Sequence, residues 1–194
     1  MKFDWFELLA RWYDRALPFG GPEPLLRLLQ LEADHRLLDV GGGTGRVSST
    51  FSDAVRVVVC DPSTGMLAQA QAKGLRVAAC QAEVLPFATG SFERLVMVDA
   101  FHHIAHQPAA AAEMVRVLAP GGRLVVEEPN LALWVVKAIA LGERLLGMQS
   151  VMLSLADLAR HFQEAGGAVL HQEADGGAIR LVVTRGTTAA DRAD

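Results

Sequence analysis

The stretch Asp39-Val40-Gly41-Gly42-Gly43-Thr44-Gly45 constrains this chain more than any other. An apolar run over residues 35–40 ends in an acid and then in glycines. Glycine lets the backbone approach a ligand without a Cβ in the way, and it tolerates positive φ. A helix read over residues 44–51 would add free N–H groups and a positive dipole end. The pattern predicts a buried strand feeding a turn and then a helix, as in open α/β sheets. The glycines fall as G-x-G-x-G, with Gly42 as an extra. The dinucleotide fingerprint needs glycine at position 46, where this chain has Arg46, so a dinucleotide pyrophosphate fits less well.

Asp61 is the second informative residue. It follows a valine-rich run over residues 55–60 and precedes Pro62. A carboxylate at the carboxyl end of a second parallel strand can accept both hydroxyls of a ribose, which suits an adenosine ligand.

Beyond these residues the apolar pattern alternates between strand and helix. Strands are read over 75–80, 92–98 and 123–127, and helices over 63–73, 109–118 and from Ser154 to Gly166. Ser63 is read as one N-cap, and Ser154-Leu155-Ala156-Asp157 as a capping box. Pro120-Gly121-Gly122 reads as a break between the helix and the fifth strand. Residues 168–173 and 178–184 flank Asp175-Gly176-Gly177, a hairpin signal. The expected fold is α/β, doubly wound, with a mainly parallel sheet and an antiparallel C-terminal hairpin. One domain is expected over residues 1–186, with an N-terminal helical cap over about 1–31 and a frayed tail over 187–194.

The bulk numbers narrow the function class. The 194 residues can bury a substantial core, and 51% are apolar. A net charge of −4 argues against a broad grip on nucleic acid. Cys60 and Cys80 are expected as reduced, buried thiols. The longest apolar stretch, over 131–141, is interrupted by Lys137 and is shorter than the ~20 residues a membrane span needs. A cytoplasmic protein is the expectation. His102, His103 and His106 stand close in sequence, but no cysteine or acidic set at ligand spacing accompanies them beyond Asp99, so no metal is expected.

Four segments, LLDVGGGTGRVS, VVVCDPSTGMLAQA, AEVLPFATGSFERLVMVDAFHHI and RVLAPGGRLVVEEPN, follow one another between residues 37 and 130. In order and spacing they resemble the motifs of class I S-adenosylmethionine (SAM)-dependent methyltransferases. The closest subgroup is the small-molecule one that includes quinone-biosynthesis C-methyltransferases and phospholipid N-methyltransferases. The resemblance implies the Rossmann-like SAM methyltransferase fold, with a seven-stranded sheet. It implies SAM as cofactor, with Asp39, Gly41, Gly42 and Gly43 around its methionine part. Asp61, beside Pro62, would hold the ribose, and Met66 would pack on the adenine. Ala82 and Glu83 would lie along the adenine edge. Gln81 stands where the family has Asp, and its amide oxygen can accept from the adenine amino group. Tyr13, in an element resembling the subgroup's Tyr-Asp pair with Asp14, would close over the cofactor.

The implied function is methyl transfer from SAM to a small, largely apolar acceptor by in-line displacement. The alternative is a methyltransferase-like module that binds SAM without catalysis. A nicotinamide-linked oxidoreductase is disfavoured by Arg46. His103 and Asp99 are the leading candidates for catalytic residues, with His102 beside them and Glu127 and Glu128 behind. The apolar segment over 131–148, with Trp134, Val135, Ile139 and Leu145, is read as part of the acceptor pocket or as a membrane-facing lid. Its competing readings are a core helix or the seam of a homodimer.

Overall fold

The computed structural model of the protein describes residues 21–130, 153–175 and 177–186. The helix expected near the N-terminus, Tyr13, the tail and the apolar segment over 131–148 lie outside the described residues.

The order of elements is α1 (Glu23–Leu29), β1 (Arg36–Val40), β2 (Arg56–Asp61), α2 (Thr64–Ala72), β3 (Arg76–Ala79) and β4 (Phe92–Val98). It continues with α3 (Gln107–Val117), β5 (Leu118–Pro129), α4 (Leu155–Glu164), β6 (Gly167–Asp175) and β7 (Ala178–Arg185). Among the described residues, seven strands form one sheet in the order β3-β2-β1-β4-β5-β7-β6. The pairs β1–β2, β1–β4, β2–β3 and β4–β5 are parallel, whereas β7 runs antiparallel to both β5 and β6. Among the described residues no helix is long and apolar enough to cross a membrane.

Both sheet faces are buried because alternate residues of each strand point opposite ways. Leu38, Val40, Leu95, Met97, Leu124 and Val126 pack on one side with Ala110 and Met114 of α3 and Leu158 and Phe162 of α4. Leu37, Val57, Val96, Val125 and Val182 pack on the other with Leu25, Leu28 and Leu29 of α1 and with Phe51. Buried Arg94 joins α1 to the sheet: its guanidinium donates to the carbonyls of Leu29 (2.6 Å) and Gln30 (3.1 Å). These acceptors lie at the C-terminal end of α1, where carbonyls lack helical partners and a cation is favoured.

Several local expectations hold. Ser63 accepts from the Met66 amide at 3.2 Å and caps α2, and Ser154 accepts from the Asp157 amide at 3.1 Å and caps α4. Three expectations are corrected. No α-helix follows the glycine loop: residues 43–54 form successive turns with one 3₁₀ turn, Ser48–Thr50. Ser49, Thr50 and Ser52 each donate a side-chain hydrogen bond to the carbonyl three residues earlier, and such bonds compete with a helical ladder. Pro120-Gly121-Gly122 does not break the chain before β5. The strand begins at Leu118 and absorbs the segment as a register shift against both neighbours. Finally, Cys60 and Cys80 are joined as a disulfide, with their Cα atoms 5.8 Å apart, rather than standing as two thiols. The register pairs Cys60 with Ala78 and Asp61 with Ala79, so Cys80 emerges beside the end of β2, within bridging distance.

Phe162 is fully buried and stacks at 5.5 Å on the equally buried Phe101, so it ties α4 to the loop after β4. Phe162→Ala should therefore cost about 3–5 kcal/mol of unfolding free energy. Urea denaturation would measure this, and a loss within about 0.5 kcal/mol, typical of surface sites, would show that Phe162 is not part of the core.

Candidate functional site

Parallel strands β1, β2 and β4 end at the same sheet edge, and the chain order reverses direction between β1 and β4. Open α/β sheets bind ligands outside such a switch point. A cleft of about 420 Å³ lies there, within the size range of small-molecule sites. It is lined by residues of the loops after β1, β2, β3 and β4.

The β1 loop needs its glycines for two different reasons. Gly41 has φ +71°, and a Cβ there would sit 2.7 Å from the Cβ of Ala100, so the loops after β1 and β4 meet only because Gly41 lacks a side chain. Gly45 has φ +70°, and its Cβ would collide with Leu75 at 2.3 Å. Gly43 is different: its Cβ position is 3.9 Å from Asp61 and from the Met66 sulfur, so it leaves open room between them.

Asp61 closes this part of the cleft from the end of β2. Its Oδ2 accepts the Gly43 amide at 3.0 Å, and its Oδ1 accepts the Ser63 amide at 2.8 Å. An ionised carboxylate is an acceptor only, which suits it to hydroxyl donors. Met66, held on α2 by the Ser63 cap, lies beside Asp61 in the cleft wall, and Pro62 lines it too. Gln81, Ala82 and Glu83, after β3, also line the cleft, and Glu83 accepts the His106 amide at 3.3 Å.

Asp39 lies beneath the loop. It is buried, and its Oδ2 accepts the Ser48 hydroxyl at 2.6 Å. Burial raises its carboxyl to about 7; the Ser48 hydrogen bond opposes that rise, the nearby Asp61 charge adds to it, and Arg46 opposes it. Ser48 was not singled out from sequence, where it reads as one of several helix hydroxyls.

The β4 loop contributes Asp99 and His103 to the cleft wall. Asp99 is left-handed at φ +52°, and its amide donates to the Glu127 carbonyl at 2.9 Å. Burial raises its carboxyl to about 6, with the Glu128 and Glu127 charges adding to the rise. The His102 and His103 rings are in tilted contact with centroids 3.9 Å apart, but only His103 lines the cleft; His102 is buried. Glu127 pairs with Arg180, and Glu128 turns inward to accept the amides of Ala100 (3.1 Å) and Phe101 (2.7 Å). Neither glutamate lines the cleft. The cofactor-side candidates Asp39, Gly41, Gly42, Gly43, Asp61, Pro62, Met66, Gln81, Ala82 and Glu83 all do.

A methyltransferase-domain model matches residues 38–126, the segment that builds the cleft. The chain is 37% identical over 139 residues to a demethylmenaquinone methyltransferase of Beutenbergia cavernae, covering 66% of this chain and 58% of that protein. It is 41% identical over 103 residues to the ubiquinone/menaquinone biosynthesis C-methyltransferase UbiE of Paracoccus denitrificans, covering 47% and 41%. The chain thus spans about half the length of these curated relatives. Among solved structures, a chain of the complex between the Haloferax volcanii Trm112 methyltransferase activator and its methyltransferase superposes with a TM-score of 0.87 at 18% identity. That match covers 96% of this chain and 100% of the other.

The Asp39 environment generates a pH test. Its folded value lies above that of an exposed carboxylate, ~3.9. Its contribution to stability is therefore fully present below about pH 4 and lost as pH rises to about 7. Asp39→Asn stays neutral throughout. Thermal melts of the ligand-free protein should show the variant gaining on the parent across that window, and a pH-independent gap would exclude a buried titrating carboxyl. By motif, cleft and topology together, residues 38–126 match a methyltransferase-domain family, and the chain resembles the class I SAM-dependent quinone-biosynthesis C-methyltransferases.

Proposed function

We propose that the protein transfers a methyl group from SAM to a ring carbon of a small, largely apolar quinol-type acceptor. One observation supports this most: the glycine loop, Asp61 and the pair Asp99 and His103 converge on one cleft at the β1/β4 switch point. The names of the relatives favour carbon as the methylated atom and a quinone precursor as the acceptor.

The residues fit the cofactor. Gly41–Gly43 would cradle its methionine part, while buried Asp39 supports the loop and offers negative charge toward the ammonium. Asp61 would take the ribose hydroxyls, and Met66 would pack on the adenine, with Gln81, Ala82 and Glu83 along its edge. Bound SAM supplies an electrophilic methyl on a sulfonium, whose departure as a neutral thioether needs little chemical help. The protein's part is to align the acceptor carbon with it. Methylation at a ring carbon leaves that carbon with a proton to lose. Asp99 and His103 line the cleft wall after β4 and are the candidates to receive it.

Loss of two charge-assisted hydrogen bonds should make Asp61→Ala bind SAM about ten- to a hundredfold more weakly by calorimetry. Unchanged affinity would remove Asp61 from the site. Incubation with SAM labelled at the methyl carbon and a demethylated naphthoquinol should yield a C-methylated product by mass spectrometry. SAM binding without label transfer to such quinols would defeat the proposal and leave a binding module. If Asp99 receives the proton it must start as a carboxylate, so kcat/KM should rise as pH increases through about 6. In Asp99→Asn that limb should vanish.

A further inference from the structure

Glu128, at the end of β5, is 5% exposed and does not itself line the cleft, although it accepts the amide of Ala100, which does. Its bonding is divided between its two oxygens. Oε1 accepts the amides of Ala100 and Phe101, whereas Oε2 faces Nδ1 of His102 at 2.5 Å. Holding the loop would need only the first oxygen. The second is committed to a histidine ring that is itself buried and in tilted contact with His103, which lines the cleft. An ionised carboxylate can only accept, so it selects the His102 form with a proton on Nδ1. The far side of the loop is equally fixed: the Phe101 carbonyl accepts from Gln107 at 3.1 Å, and its ring packs on Phe162.

We propose that Glu128 is a positioning residue for the acceptor half of the cleft: through the Nδ1 proton of His102 it fixes the plane of that ring, and through the ring contact it fixes where the His103 imidazole stands in the cleft wall that Asp99 also lines. The assignment rests on the quinol-methylation reading only in placing the acceptor on this side; the coupling from Glu128 to His103 is a property of the protein alone.

Glu128→Gln separates the two duties. The Gln oxygen can keep both amide bonds, while its NH₂ replaces an acceptor with a donor opposite His102. Nδ1 must then accept, and the proton moves to Nε2. The full chain, labelled with ¹⁵N-histidine, would be compared with the variant by long-range ¹H–¹⁵N spectra. The expected result is a change of His102 tautomer, a shift of the His103 ring resonances and unchanged SAM affinity. With a naphthoquinol acceptor, kcat should fall about ten- to a hundredfold, as expected for a misplaced reacting group, with KM for SAM unchanged. His103 resonances that stay in place while His102 changes would overturn the proposal, as would SAM affinity falling in step with kcat. If Glu128→Gln does not fold, His102→Asn asks the same question: its NH₂ can still donate to Glu128, but the ring contact is gone. The His103 resonances should then move, and their staying in place would again refute the coupling. Absence of turnover in the parent with every quinol would count against the acceptor assignment alone, since the spectra still decide the coupling.

Discussion

Everything at the cleft depends on the backbone of Gly41–Gly43 passing where no side chain can go. Gly41 runs against Ala100, Gly42 lies over the Asp39 carboxylate, and Gly43 donates its amide to Asp61. A Cβ at Gly42 would sit 2.5 Å from the Asp39 carboxylate. Three strand ends are thereby drawn together, and the acids that follow or end them are brought into one small volume. The parallel register makes this approach possible, because it ends β1, β2 and β4 at one edge. The glycines then remove the last steric barrier.

Gathering acids in a partly dry cleft has an electrostatic consequence. Asp39 and Asp99 both have carboxyls raised chiefly by burial, and in each case neighbouring carboxylates add to the rise while Arg46 opposes it. Such a group favours any arriving positive charge, because the cation relieves both desolvation and like-charge repulsion. A sulfonium cofactor that also carries an ammonium matches this field better than a pyrophosphate would. The electrostatics and the absence of a glycine at position 46 therefore point the same way.

Elements whose apolar period was clean were legible in the sequence. β4 lies where its run Phe92–Val98 predicted, and the caps Ser63 and Ser154 start their helices as expected. Local chemistry misled in the segment after the glycine loop, where hydroxyl side chains bond back to the chain and replace a helix with turns. It misled again at Pro120-Gly121-Gly122, because strand pairing on both sides carried β5 through a segment that reads as punctuation. For the cysteines, the sequence pointed to two reduced thiols; the register between β2 and β3 brought them together instead.

The sequence by itself determined the glycine loop, the acid after the second strand and the alternation of strand and helix, because each is written in contiguous residues with a local physical cause. It therefore determined the α/β class and marked the candidate residues that gather on one side of the cleft. Tertiary structure alone decided where the side chains of the residues around Asp99 go. As a string, Asp99 and His103 lead the candidates, with His102 beside them and Glu127 and Glu128 behind, but nothing local says which side chains enter the cleft. Folding sorts them by the direction in which each side chain leaves its strand or loop: Asp99 and His103 into the cleft, His102 and Glu128 into the core, and Glu127 onto Arg180. That sorting follows from strand alternation and from the left-handed turn at Asp99, and both depend on contacts made by β4 with strands distant in the chain.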